Sequence, residues 1–129
     1  MISNQQIYKV HKAHFDYPLS TYTVLKKQKA DRVRIAYEWL DAQTKTTTQN
    51  KISVKHLIES WSGHYISRND VQLAVYLNPL LRGKYPSFNI SNVLIEPSVE
   101  RIKHIPIAFT QNYNNENWHI NPYSKKEVA

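Results

Sequence analysis

The stretch SVKHLIESWSGHYISRNDVQLAVYL, residues 53–77, decides how the rest of the chain is read. Val54, Leu57, Ile58 and Trp61 recur at i, i+3, i+4 and i+7, one apolar stripe behind a candidate cap at Ser53. Gly63 stands where a helix would end in a left-handed residue. Four residues later Ser67 and Asp70 fit the S-x-x-[DE] capping pattern, and a second helix runs from there to Leu77, where Asn78-Pro79 stops it. Two short helices joined by a glycine-containing turn have the form of a helix-turn-helix.

Working outward, Val33, Ala36, Tyr37 and Leu40 share one side at helical spacing, so a helix is expected over 31–43 with Asp31 as its cap. TKTTTQNK (44–51) has no apolar period and reads as a connecting loop. LLRGKYPS (80–87) is a basic loop. In FNISNVLIEPSVERIKHIPIAF (88–109) β-branched residues on both sides of Pro97-Ser98 suggest a hairpin, with a helix over 98–105 as the competing reading. Residues 1–24 show no clean period and suggest an extended or partly helical arm. The polar, asparagine-rich segment from Thr110 suggests a loosely attached tail that Trp118 could anchor. The organisation expected is therefore a basic arm (1–30), a folded domain (31–109) and a polar tail (110–129).

Composition removes several function classes. The 129 residues, 41% apolar, suffice for one core. Two glycines argue against phosphate-binding glycine loops, and the absence of cysteine removes disulfides, thiolate zinc sites and thiol nucleophiles. No run is apolar enough for a signal peptide or a membrane span, which points to a cytoplasmic protein with no membrane partner. Seventeen Lys and Arg against ten acids give a net charge of +7, which favours polyanionic partners. Seven of the basic residues fall within residues 1–34, against two acids, and five of those seven lie in KKQKADRVR.

At 100° per residue, the helix over 67–77 puts Val71, Ala74 and Val75 on one side and gathers Arg68, Asn69, Gln72 and Tyr76 opposite most of it. Arg can bond guanine O6 and N7 together, and Asn or Gln can do the same at adenine N6 and N7. Tyr76 can reach a phosphate or sugar.

Three helices, a basic loop and a hairpin, over about Asp31 to Phe109, resemble a winged helix-turn-helix domain. The turn GHYIS is longer than the shortest helix-turn-helix form, and the EPS tip of the expected hairpin carries no positive charge. The resemblance implies an α+β, mainly helical fold: a three-helix winged helix-turn-helix core with a small β-hairpin. It implies a sequence-specific DNA-binding protein, such as a transcriptional regulator or accessory factor of a bacterium, phage or plasmid. Arg68, Asn69 and Gln72 would read bases in double-stranded DNA. Lys26, Lys27, Lys29, Arg32, Arg34, Tyr76, Arg82 and Lys84 would hold the backbone. No cofactor and no metal are implied; a homodimer on a palindromic site is the common form of such domains.

Two other classes compete. His11 and His14 in HKAH could share a helix face and a metal, or His64 and His104 could do acid–base work on RNA as in a small basic nuclease. No third ligand follows at zinc spacing, and the acids show no pairing for two-metal chemistry. Nine tyrosines and three tryptophans could instead anchor a protein-binding inhibitor, although Tyr37, Trp39 and Trp61 occupy core-stripe positions.

Overall fold

A computed structural model describes residues 1–114 and 121–128. The fold is α+β. Four helices, α1 (Asn4–His14), α2 (Thr23–Asp41), α3 (Val54–Ser62) and α4 (Arg68–Leu77), pack with a small antiparallel sheet of β1 (Lys45–Lys51), β2 (Gly83–Lys84) and β3 (Ser87–Ile90). The strand order is β1-β3-β2. No described helix is long and apolar enough to cross a membrane.

The centre of the molecule is α3 and α4 against α2, as their stripes require. Ile58, Leu73, Val71 and Ala74 are fully buried with Val33, Ile35, Trp39 and Leu40 of α2 and with Phe88 and Ile90 of β3. Gly63 ends α3 in the left-handed region at φ 65°, its N–H returning to Glu59 O. At the start of α4, Ser67 Oγ accepts from Asp70 N and Asp70 Oδ2 accepts from Ser67 N, a reciprocal capping box.

Several expectations are corrected. Helix α2 begins at Thr23 rather than Asp31, so all of KKQKADRVR lies inside it, and Asp31 pairs with Arg34 one turn on instead of capping. The N-terminal arm contains α1, opened by a capping box between Ser3 and Gln6. The threonine-rich segment expected as a loop is strand β1. It shows no alternation because neither of its faces enters the core, and it is held by pairing with β3 and by Asn50 Nδ2 donating to Ile90 O at 2.8 Å. β-branched threonines suit that edge position.

The hairpin is also displaced. It is β2–β3, turning at Tyr85-Pro86, rather than two strands on either side of Pro97-Ser98. Gly83, at φ 120°, sits where an added Cβ would lie 2.2 Å from Ser87 O, so the strand crossing admits no side chain. After Ser98, Val99–Arg101 forms a 3-10 helix, and Ile102 and Ile105 use their β-branched bulk to plug the core.

The tail is attached over 121–128. Strand β5 (Lys125–Lys126) runs parallel to β4 (Ile95–Glu96). Tyr123 Oη accepts from Trp39 Nε1 at 2.9 Å, and burial pushes this phenol up to about 12. Trp118 lies outside the described residues.

Candidate nucleic-acid interface

The residues expected to read bases separate into two kinds. Arg68 and Asn69, at the capped start of α4, are exposed. The Arg68 guanidinium carbon stands 5.6 Å from the centre of the Tyr85 ring, and Asn69 Nδ2 donates to Tyr17 Oη at 2.9 Å. Gln72 is different: it is 7% exposed, its Nε2 donates to Gly83 O at 3.0 Å and its Oε1 accepts from Tyr85 N at 2.7 Å. Both ends of the amide are used to fasten the β2–β3 hairpin to α4. Gln72 therefore does not face a groove, and its assignment as a base reader is corrected to a structural one.

The expected backbone contacts divide in the same way. Lys29 Nζ lies 2.6 Å from Asp70 Oδ1, and Arg32 Nε lies 3.0 Å from Asp70 Oδ2. Arg34 donates to Ile2 O and Asp31 at 2.8 Å and also bonds Asn4. The side chains of these three cations are only 12%, 21% and 13% exposed, so they belong to the interior of the fold and not to a phosphate-binding surface. Lys26 is half-buried over the Tyr8 ring at 4.3 Å. Tyr76 is half-buried too, stacked on His14 with ring centres 3.9 Å apart and bonded through its hydroxyl to Lys84 Nζ. Lys27, Arg82 and Lys84 are exposed, Arg82 with Nη2 donating to Thr47 O at 2.5 Å.

Arg68 also borders a concavity of about 430 Å³ that the sequence did not reveal, shared with Lys51, Ser53, His56 and Tyr85. The residues come from the end of β1, the start of α3, the start of α4 and the hairpin turn. Among the described residues no carboxylate lines it. Glu59 touches His56 from beside it, Oε1 to Nδ1 3.4 Å, while its other oxygen takes Lys55 at 2.9 Å and Ile66 N at 3.1 Å. Helix α3 has no acid in its first turn, and Ser53 Oγ makes no capping bond, so the partial positive charge of the helix start is uncompensated there. Two cations, a histidine and a helix start around one hollow suit an anion of phosphate size. The local signal was the pair Lys51 and Ser53 beside a helix start; Arg68 joins them only through folding.

The described histidines do not gather into a site. His11 is buried, its ring centre 5.2 Å from that of Phe15 and 4.9 Å from that of Tyr17, and its Nε2 has no hydrogen-bond partner among the described residues. His14 faces Tyr76 instead. His64 is buried with Nδ1 against Tyr65 O at 2.8 Å, and His104 is exposed. Among the described residues, no three His, Asp or Glu side chains are grouped to hold a metal ion. No family model, curated protein or solved structure matches the chain.

Burial, and secondarily the Lys29 ammonium, lowers His11 below the ordinary imidazole value of 6.5. The unfolded chain therefore takes up this proton at a higher pH than the folded one. Stability is fully present above 6.5 and falls as pH drops below it toward the folded value, by at most about 1.4 kcal/mol per pH unit. Urea unfolding midpoints between pH 7.5 and 5 should show this loss, and His11→Phe should remove it. An unchanged slope in the variant would assign the loss elsewhere.

Proposed function

We propose that the chain binds double-stranded DNA through a winged helix-turn-helix core formed by α2, β1, α3, α4 and the β2–β3 hairpin, acting as a regulator or accessory factor. The observation that carries this reading is the placement of Arg68 and Asn69, exposed at the capped start of α4, beside an acid-free hollow lined by Lys51, Ser53 and His56. The first turn of a recognition helix contacts base edges while the neighbouring helix start meets the backbone. Arg68 has the planar donor fork for guanine, and Asn69 the amide for adenine. A phosphate in the hollow would meet Lys51, His56 and the α3 helix start, while Arg82, Lys84 and Lys27 offer further exposed cations to the strands.

Single substitutions separate reading from holding. Arg68→Ala should cost about 1–3 kcal/mol on a duplex selected from a random pool and narrow its preference over random DNA. Lys51→Ala should weaken both duplexes alike and reduce the salt slope by about one. Competition binding at fixed salt measures both effects; an equal loss on both duplexes for Arg68→Ala would remove Arg68 as a base reader.

A further inference from the structure

Helix α1 lies against the side of α4 that carries Asn69 and Tyr76. Its last turn places His14 flat on Tyr76, at 15° between ring planes, and the segment just after it supplies the Tyr17 hydroxyl that accepts from Asn69. With α1 in place, a duplex approaching α4 meets Arg68 and the exposed part of Asn69, while the Asn69 amide is engaged by Tyr17 and the Tyr76 ring lies against His14.

The attachment of this cover is thin. Of the eleven residues of α1, two are buried, Ile7 and His11. The buried His11 Nε2 lacks a partner among the described residues, which costs part of what burial of the ring gains. Ile2, Tyr8, Val10 and Phe15 pack on the core only in part, and polar anchors complete the attachment: Arg34 to Ile2 O and Asn4, Asn69 to Tyr17, and Lys26 over Tyr8. The link from Phe15 to Tyr22 has no regular structure, and elements with few buried apolar contacts open at lower free energy than the rest of a fold.

Helix α1 is also cationic. It carries Lys9, Lys12 and two histidines and no acid; the first acidic residue of the chain is Asp16. Displaced from α4 beside a duplex, it would find phosphates.

We propose that α1 masks a nucleic-acid-reading surface on α4, comprising Asn69 and Tyr76, and that duplex DNA competes with α1 for it. This rests on the DNA-binding reading above and adds its regulation: the free chain is closed, and its apparent affinity is reduced by the fraction of molecules in which α1 is docked.

The test uses the full chain and a duplex selected from a random pool. His14→Ala removes the stack on Tyr76, and Tyr17→Phe removes the bond to Asn69; both side chains are exposed, so neither change opens the core. Each variant is expected to bind the duplex about fivefold more tightly than wild type, equivalent to about 1 kcal/mol. In wild type, duplex addition is expected to speed hydrogen exchange at the α1 amides. Unchanged affinity in both variants, with α1 equally protected free and bound, would overturn the masking and leave DNA binding intact. Absence of duplex binding in wild type and variants alike would overturn the DNA-binding reading, and the masking with it.

Discussion

Asp70→Ala is expected to remove about 4 kcal/mol of folding stability, the largest loss of any single substitution considered, because one fully buried carboxylate serves three structural ends. It completes the capping box of α4 by accepting from Ser67 N at 2.8 Å. It neutralises Lys29 at 2.6 Å and Arg32 at 3.0 Å, which reach it from α2. Removing it leaves two cations that are mostly buried without a counter-charge and a helix start without its reciprocal bond; the cap alone is worth about 1 kcal/mol. Asp70→Asn keeps the shape and an acceptor for the cap but not the charge, and should cost roughly half as much. Urea unfolding followed by circular dichroism measures both. A loss below 1 kcal/mol for Asp70→Ala would mean that Lys29 and Arg32 relax to solvent, which would return them to the list of free surface cations.

Arg101→Ala is expected to cost about 3 kcal/mol. This side chain joins three parts of the molecule: Nε and Nη2 reach both oxygens of Glu127 at 2.6–3.0 Å, and Nη1 reaches Glu38 at 2.9 Å and Asp41 at 3.3 Å. It thereby fixes the C-terminal segment to α2 and the 3-10 turn. Without it, three carboxylates remain clustered and the parallel pairing of β4 with β5 loses its nearest clamp. Hydrogen bonding from Arg101 holds the Glu127 carboxyl below its ordinary value of 4.5. Its contribution is thus complete above 4.5 and is lost as pH falls below that value toward the folded one, so the deficit of Arg101→Ala should shrink in acid. Thermal melts of both proteins at pH 7 and pH 3 test this; a deficit that does not depend on pH would place the effect in packing rather than in the ion cluster.

The legible parts of the sequence were those where one periodic stripe meets explicit caps. Val54, Leu57, Ile58 and Trp61 with Gly63, and Ser67 with Asp70, mark α3 and α4 because packing and capping speak for the same element. Strand β1 was not legible because its threonines and lysines bury neither face. Helix α1, with two buried residues, has too narrow a stripe to register, although Ser3 and Gln6 carry a capping pattern that would have marked its start.

At the interface, the sequence shows which side chains are cationic but not which are occupied. Lys29, Arg32 and Arg34 look like Lys27 in the run KKQKADRVR. The carboxylate that takes the first two is Asp70, 38 residues from Arg32, and only folding brings it there. Gln72 is set on the same helical side as Arg68 by geometry, but the hairpin that closes over its amide is defined by the glycine crossing at Gly83. The hollow beside Arg68 collects residues from four separate elements, so no local spacing announces it.

The most direct test of the central claim is the affinity of the full chain for a selected duplex as a function of salt, with Arg68→Ala as the comparison. Log K is expected to fall with log salt at a slope of about −3.6, about 0.9 for each of the four phosphates that Lys51, Lys27, Arg82 and Lys84 can neutralise. Arg68→Ala is expected to narrow the preference over random DNA at every salt concentration while changing this slope by no more than about one. Binding that is indifferent to salt, or that never distinguishes selected from random duplex, would contradict that claim.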